Sequence, residues 1–297
     1  MRHFIGCLLF MLLSLVSGSV CSERERNQEC SYLDWTAKVW RDPETLMWML
    51  QVQRKGEVVY EKKGGAYRIG LMYPDYPDQG RPPGYKNDVI AMGKDITGYG
   101  IPDMVVSEWS EGAHCCLSFN IFELGEKIRL VDVIKAEDGD FSYFADLDHD
   151  GLPEFIGYDF AFAYWRTGFV QSPAPKIILH FRNGKYVIAG DLMKRSASSA
   201  EDIDKIIEQV RKDNSWAHSR PPEALWSFML HLIYTGRADL VPNFCQGAWP
   251  KEVPGIDTFL EDFRAQLKES QYWSQIYEMN NRQVLEKWAT DKKGERI

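Results

Sequence analysis

The chain has few basic residues relative to acidic ones, few cysteines and only one long apolar run. Its 297 residues include 35 Lys and Arg against 43 Asp and Glu, which gives a formal net charge of −8. Because nucleic-acid backbones are bound by clustered Lys and Arg, this acidic chain without a basic stripe is not predicted to bind nucleic acid. Beyond the N-terminal segment, no apolar run reaches the roughly 20 residues of a spanning helix, so no transmembrane segment is predicted after signal cleavage.

The sequence also lacks the short motifs of common catalytic and phosphate-binding sites. It contains no G-x-S-x-G, no H-E-x-x-H, no glycine-rich phosphate loop and no C-x-x-C. Glu108 and His114 flank Trp109 and are the best catalytic candidates. A carboxylate and a histidine near strand ends are more often hydrogen-bonded structure, however. The sequence therefore leaves enzymatic activity uncertain and assigns no catalytic residue.

The one long apolar run lies at the N-terminus and predicts a signal peptide over residues 1–19. The stretch Ile5 to Val16 is almost entirely apolar, and Ser17 and Ser19 take the −3 and −1 positions of a cleavage site. A run of this length is too short for an ordinary membrane span. The mature chain is therefore expected to be periplasmic or secreted.

Cysteine usage is compatible with export, since an oxidising compartment favours disulfides. Five cysteines lie beyond the predicted signal peptide. If Cys21 is set aside, three pairings of Cys30, Cys115, Cys116 and Cys245 are possible, and the sequence does not choose among them. We expect Cys115 and Cys116 to bond to separate partners, because neighbouring side chains of a strand point to opposite faces. A soft-metal site or a vicinal disulfide is the alternative for this pair. Lipidation of Cys21 is a further alternative, disfavoured because Val20 precedes it where a small residue is wanted.

The most informative stretch runs from residue 146 to residue 154. Three carboxylates stand at alternate positions, a glycine follows the third, and another carboxylate closes the run. Ca²⁺ takes six to eight oxygen ligands from carboxylates and carbonyls, and the glycine allows the sharp turn that lets them converge. The sequence therefore predicts a Ca²⁺ site, with an acidic turn that binds nothing as the alternative. The predicted ligands are Asp146, Asp148, Asp150, the carbonyl of Leu152, and Glu154.

This stretch is not predicted to be an EF-hand. An EF-hand needs a bidentate Glu at loop position 12 and a helix on each side, but position 12 from Asp146 is Gly157. The flanking residues are rich in aromatic and β-branched side chains, which are typical of strands. We therefore expect a calcium loop between two strands.

A fainter copy of the motif lies 51 residues upstream, at 95–106. Aligned with 146–157, it keeps Asp first, Gly sixth, Pro eighth and an acid ninth, which indicates an internal repeat. Thr97 and Tyr99 replace the two charged ligands Asp148 and Asp150. The upstream loop is therefore expected to keep the turn and to bind calcium weakly or not at all.

The two loops resemble the VCBS/FG-GAP class of repeats, whose D-x-[DN]-x-D-G-x-x-[DE] loops join strands of β-propeller blades. The wider stretch 95–188, with "VVSEWSEGAHCC" and "FAYWRTGFVQSPAPKIILHF", resembles secreted bacterial proteins of no assigned activity. The resemblance implies calcium binding and a propeller-like architecture, and it implies no activity.

Period-two alternation and turn signals predict a mainly β region over residues 30–192. About twelve strands would make only about three blades, so the region is expected to be either an incomplete propeller or a sandwich-like antiparallel fold. The aromatic stretch 160–175 is expected to be mostly core, with a sugar-stacking surface as the alternative. The predicted strands are 39–40, 47–52, 58–61, 67–72, 89–92, 104–108, 117–122, 128–134, 141–145, 155–159, 177–181 and 186–188.

After a Ser/Ala-rich linker at 193–200, the apolar period changes to that of helices. Pro221-Pro222 begins a helix that Gly236 ends, and Asp257 is predicted to cap another. We expect an α-helical domain over 201–289 and a tail over 290–297.

Together these observations predict an exported calcium-binding β-domain protein that acts as a binding or interaction module of the bacterial envelope. Its partner is expected to be an envelope protein or a glycan. The alternative is a periplasmic or secreted hydrolase acting on glycans.

Overall fold

The computed structural model describes residues 19–24, 27–72, 88–112, 115–139, 141–194, 200–218 and 220–282. Within these residues the chain is mainly β, with three antiparallel sheets, none of them closed, followed by helices toward the C-terminus. Each sheet is a meander, because strands that are consecutive in the sequence are also neighbours in the sheet. The prediction of an antiparallel β region followed by helices is confirmed at this level.

The first sheet buries one face and exposes the other. In β3, Trp35, Ala37 and Val39 are buried and the residues between them are partly exposed, as expected for a half-buried strand. The outermost strand, β5, is largely exposed. The strands are β1 (Val20–Arg24), β2 (Asn27–Tyr32), β3 (Trp35–Arg41), β4 (Trp48–Arg54) and β5 (Glu57–Gly64).

The second sheet is buried on both faces. Successive residues of β7 pack into different clusters: Met104 and Val106 join the core shared with the first sheet, and Val105 joins the core shared with the third. This alternation follows from the opposite directions of neighbouring side chains in a strand. The strands are β6 (Ala66–Ile69), β7 (Asp103–Trp109), β8 (Leu117–Leu124) and β9 (Ile128–Glu137).

The third sheet lies between the second sheet and the helices. Phe155 and Ile156 are adjacent in β11 and both fully buried, so both faces of this sheet are covered. Its last hairpin turns at Asn183-Gly184, both at positive φ, and Asn-Gly is a pair that favours such a two-residue turn. The strands are β10 (Tyr143–Ala145), β11 (Glu154–Tyr158), β12 (Lys176–Arg182) and β13 (Lys185–Ile188).

The helices continue the core of the third sheet. One hydrophobic cluster contains Phe155 of β11 together with Leu230 and Phe263 from two helices. The predicted helix between Pro222 and Gly236 is confirmed as α4. The helices are α1 (Asp88–Ala91), α2 (Gly190–Met193), α3 (Ala200–Arg211), α4 (Glu223–Tyr234), α5 (Val241–Ala248), α6 (Ile256–Lys268) and α7 (Trp273–Met279).

A buried carboxylate links the third sheet to the helices. Asp159 follows β11 and is 2% exposed. Its Oδ2 accepts hydrogen bonds from the Tyr234 hydroxyl at 2.5 Å and from the Ser270 hydroxyl, and its Oδ1 accepts from the Ala161 N–H at 2.9 Å. The two hydroxyl partners lie at the last residue of α4 and two residues after α6, so these bonds hold the ends of both helices against the sheet.

The sequence predictions are wrong at three local points. Residues 89–91 form part of α1 instead of a strand, and Met92 makes only an isolated antiparallel bridge with Met104, because four apolar residues are too few to distinguish the two periods. Strands β1 and β2 were not expected, since their residues are mostly polar. Helix α6 is capped by Gly255, with Asp257 in its first turn.

The aromatic stretch 160–175 divides between core and surface. Phe162 is buried, and Trp165 is partly buried and packs against the core shared with the helices. Tyr164, in contrast, is 55% exposed. The core interpretation therefore holds for two of these aromatic side chains and fails for Tyr164.

The cysteine pairing differs from the expectation. Cys21 pairs with Cys30, directly opposite in the β1–β2 ladder, and Cys115 pairs with Cys116. Cys245 is free and buried in α5, where burial raises the pKa of its thiol to about 12. The prediction that Cys21 stands aside is therefore wrong, and Cys115 and Cys116 follow the vicinal alternative instead of bonding to separate partners. The Cys21–Cys30 bond would follow from the pairing of β1 with β2, two strands that the sequence analysis did not predict.

Several predictions concern residues outside the described ranges. They are the signal peptide up to residue 18, the histidine of the catalytic candidate pair (His114), linker residues 195–199, the end of the last predicted helix, and the tail 290–297.

Candidate metal centre

The acidic loop connects β10 to β11 and is closed by their pairing. Ala145 and Glu154 are opposite each other in the antiparallel ladder, so the two ends of the loop lie side by side. This pairing places Asp146, the first loop residue, next to Glu154, the first residue of β11. Gly151 has φ +94°, a conformation that favours glycine.

Three of the predicted ligands converge. One carboxylate oxygen from each of Asp146, Asp148 and Glu154 lies within 4.8 Å of the other two. Glu154 is 3% exposed, Asp146 is partly buried and Asp148 is exposed. The three carboxylates therefore extend from the protein interior to the surface, so an ion from solution can reach them.

Backbone hydrogen bonds orient these carboxylates and leave oxygens available. The Gly151 N–H donates to Asp146 Oδ2 at 3.1 Å, and the Leu147 N–H donates to Glu154 Oε2 at 2.8 Å. The Asp150 N–H donates to Asp148 Oδ1 at 3.2 Å. Asp146 Oδ1 is buried and has no hydrogen-bond partner. A buried polar atom without a partner is rare in folded proteins and is commonly explained by an ion or a water.

The electrostatics of the loop favour a cation. Burial raises the pKa of Glu154, and the charges of Asp148 and Asp150 raise it further. Within the part of the chain that the structure describes, no lysine or arginine forms an ion pair with the four carboxylates of this loop. The negative charge is therefore left for a bound cation or a proton to compensate.

The group does not include the side chain of Asp150, the fourth predicted carboxylate. Asp150 Oδ1 accepts the Leu152 N–H at 2.8 Å, an Asx-type turn in which the carboxylate bonds its own backbone two residues on. The Leu152 side chain lies against Gly98 of the upstream loop, because a Cβ built on that glycine would lie 2.8 Å from Leu152 Cδ1. Asp commonly forms such turns, so the sequence already allowed Asp150 to bond its own backbone instead of joining the other carboxylates.

The upstream loop uses its carboxylates differently. Asp95 accepts three backbone N–H groups, from Thr97 at 3.1 Å, Gly98 at 2.7 Å and Gly100 at 2.7 Å. Asp103 Oδ2 accepts the Ile96 N–H at 2.8 Å and both the N–H and the hydroxyl of Thr97 at 3.0 Å. Among the described residues, no third carboxylate, histidine or cysteine joins these two in a metal-sized group.

Asp103 is the most perturbed acid of the upstream loop. It is 1% exposed, and its Oδ1 has no hydrogen-bond partner. Burial raises its pKa to about 7, against the opposing effect of the Ile96 and Thr97 hydrogen bonds. Asp103 and Glu154 stand at the same position of the two loops, and each begins the second strand of its sheet.

The catalytic candidate Glu108 is held in a polar cluster on β7. Its carboxylate pairs with Lys62 Nζ at 2.7 Å, accepts the Tyr67 hydroxyl at 3.2 Å and lies 3.4 Å from Asn120 Nδ2. These contacts join the first and second sheets, and they give Glu108 a structural role.

No family model, no curated protein and no solved structure matches this chain. Among the described residues, no helix is long and apolar enough to cross a membrane.

Proposed function

We propose that this chain is an exported calcium-binding β-protein that acts as a binding or interaction module of the bacterial envelope. The observations that carry the calcium assignment are the convergence of Asp146, Asp148 and Glu154 and the buried Oδ1 of Asp146, which has no hydrogen-bond partner. All three supply hard carboxylate oxygens, the ligands that Ca²⁺ prefers. Asp150 and the Leu152 carbonyl complete the proposed ligand set.

Calcium at this loop would act on the fold through its two strands. Asp146 follows β10 and Glu154 begins β11, so a shared cation ties the ends of both strands together and offsets the repulsion among the carboxylates. The loop would then be a stabilising site that keeps the third sheet in register.

We further propose that the three sheets are blades of an incomplete propeller and that the two loops are repeats of the VCBS/FG-GAP type. Supporting this, each loop precedes the second strand of a four-stranded meander, β7 in one case and β11 in the other. Four-stranded sheets repeated in this way are the building unit of propellers. The helices cover the third sheet where a further blade would stand. A sandwich-like arrangement is the alternative.

The proposed partner is an envelope protein or a glycan, met in the periplasm or outside the cell. The Cys21–Cys30 pair suits an oxidising compartment and leaves no Cys21 thiol to carry lipid. A hydrolase acting on glycans has less support, because Glu108 is already engaged by Lys62 and Tyr67.

The proposal is tested by co-sedimentation of the purified chain with peptidoglycan sacculi and with solubilised envelope extract, in calcium and in EDTA. We expect a bound fraction in calcium that falls in EDTA and in Asp146→Asn, and that persists in Asp95→Asn, the acid at the equivalent position of the upstream loop. Release of soluble sugars from the sacculi would support the hydrolase instead. The absence of calcium-dependent binding to either material would contradict the interaction role.

A further inference from the structure

A pocket of about 540 Å³ opens between the third sheet and the helices, and none of its lining residues belongs to the acidic loop. One wall is the extended segment 173–176 that leads into β12, and the opposite wall is α4 from Ser227 to Thr235. Helix α2 contributes the end wall through Leu192 and Met193. Ligand pockets commonly have volumes of about 300–1,000 Å³ and often lie where two parts of a protein meet.

The floor of this pocket is apolar and deep. Ile178, Met193 and Leu230 line it and are 6%, 4% and 1% exposed. The ring of Tyr234, 3% exposed, completes the floor while its hydroxyl is bonded to Asp159. The apolar surface thus lies at the bottom of the pocket, and the hydrogen bond from Tyr234 to Asp159 fixes one of its side chains.

The mouth of the pocket is polar and basic. Lys176 and His231 line the pocket and are exposed, and the His231 ring stacks against Phe228 at 5.6 Å. None of the described lining residues is acidic, although the whole chain has a formal charge of −8. An apolar floor below a basic mouth complements a molecule with an apolar tail and an anionic head.

We propose that this pocket binds an anionic amphiphile, a single unbranched acyl chain with one acidic head group. The tail lies over Ile178, Met193 and Leu230, and the head lies at the mouth near Lys176 and His231. This site is independent of the acidic loop and of the calcium proposal, so the measurements below are made in EDTA.

The test uses titration calorimetry of the full chain with octanoate, decanoate and dodecanoate below their micelle concentrations. Burying a methylene contributes about 0.8 kcal/mol, so the affinity is expected to rise about fourfold per added methylene until the floor is covered. Dodecyltrimethylammonium, with the same tail and the opposite charge, is expected to bind at least about tenfold more weakly. Equal affinity for both head groups, or no dependence on chain length, would overturn the proposal.

Matched variants locate the binding. Ser227→Trp fills the α4 wall, while Ala224→Trp adds the same side chain at an exposed position of α4 outside the lining. Dodecanoate affinity should fall at least about tenfold in Ser227→Trp and stay unchanged in Ala224→Trp. If Ser227→Trp fails to fold, Ala174→Phe on the extended wall makes the same test. Retained binding in whichever filled variant folds would overturn the assignment to this pocket.

The contribution of the head group is tested with Lys176→Gln against Lys185→Gln, an exposed lysine of the same sheet that does not line the pocket. Exposed charge pairs are weak, so a two- to fivefold loss of dodecanoate affinity is expected at Lys176. No change is expected at Lys185. An equal effect at both positions would show a general charge effect and overturn the basic mouth.

Discussion

The two acidic loops share a sequence pattern and a place in their sheets but satisfy their carboxylates differently. In the upstream loop, Asp95 accepts three N–H groups and Asp103 accepts three donors from Ile96 and Thr97. In the downstream loop, Asp146 and Glu154 accept one N–H each. The upstream carboxylates therefore stabilise the turn by accepting its backbone N–H groups. The downstream carboxylates accept fewer N–H groups, which leaves oxygens that can bind a cation.

A buried carboxylate with an unpartnered oxygen is stabilised when a proton or a metal ion binds that oxygen. The two loops differ in which of these binds. Asp103 has only Asp95 as an acidic neighbour within its loop, and a pKa of about 7 lets a proton occupy its Oδ1 near neutral pH. Asp146 lies beside Asp148 and Glu154, where three negative groups converge. In our account the first loop takes a proton and the second takes calcium.

The largest expected effect is a pH dependence at Asp103. Its folded-state pKa of about 7 exceeds the ordinary 3.8, so the folded state binds the extra proton between these values. The stability from Asp103 is therefore fully present below about pH 4 and is lost as the pH rises through about 7, by on the order of 4 kcal/mol in total, of which about 3 kcal/mol is lost above pH 5. Urea unfolding in EDTA at pH values from about 5 to 8 should show this loss in the wild type.

Two variants isolate that effect. Asp103→Asn keeps an amide where the protonated acid stood and should remove most of the pH slope. Asp95→Asn, in the same loop, should retain most of it, because burial is the main cause of the raised pKa of Asp103 and the charge of Asp95 is a smaller cause. Identical slopes in the wild type and Asp103→Asn would show that Asp103 does not take up the proton.

Calcium should stabilise the fold through the downstream loop. A ligand that binds only the folded state adds about 2.7 kcal/mol at a free concentration of 100 Kd. Unfolding with and without calcium should show this increment in the wild type and in Thr97→Ala, and its loss in Asp148→Ala at the equivalent position. An increment of the same size in Asp148→Ala would assign calcium to another place.

A smaller difference is expected at the loop glycines. Gly98 and Gly151 both have positive φ, +77° and +94°, so alanine at either should cost about 1–2 kcal/mol. At Gly98 the new Cβ would also meet Leu152 Cδ1 at 2.8 Å, whereas nothing lies within 4 Å at Gly151. Gly98→Ala should therefore cost about 1 kcal/mol more in thermal unfolding.

The contact between the loops can be isolated with a double-mutant cycle. In a Leu152→Ala background the extra cost of Gly98→Ala should disappear, because the side chain that it meets is gone. An undiminished cost there would mean that the loops do not touch at these residues.

The sequence predicted the parts of the fold that have a clear local signal. The strands predicted at 104–108 and 117–122 lie within β7 and β8, and the helix predicted between Pro221-Pro222 and Gly236 is α4. Residues 89–92 were assigned to a strand because an apolar run of four residues is too short to distinguish the periodicity of a helix from that of a strand. The Cys21–Cys30 pair depends on β1 and β2, whose polar residues carry little strand signal, so the pairing could not follow from spacing.

The sequence predicted where the candidate metal site lies, but it did not predict how each of its side chains is oriented. The alternating acids and Gly151 located the loop, and the pairing of Ala145 with Glu154 explains why its ends meet. The orientation of Asp150 depends on whether its carboxylate bonds the Leu152 N–H or turns toward Asp146, and residue spacing does not decide between them. The pocket between α4 and β12 joins residues distant in the chain, so no local pattern could indicate it.

Calorimetric titration of the metal-free chain with calcium tests the difference between the two loops most directly. Our account predicts a single tight site, lost in Asp146→Asn and nearly unchanged in Asp95→Asn, since calcium affinity depends on the number of charged ligands. Two sites of similar affinity, or equal losses in the two variants, would contradict it, because both loops would then use their carboxylates in the same way.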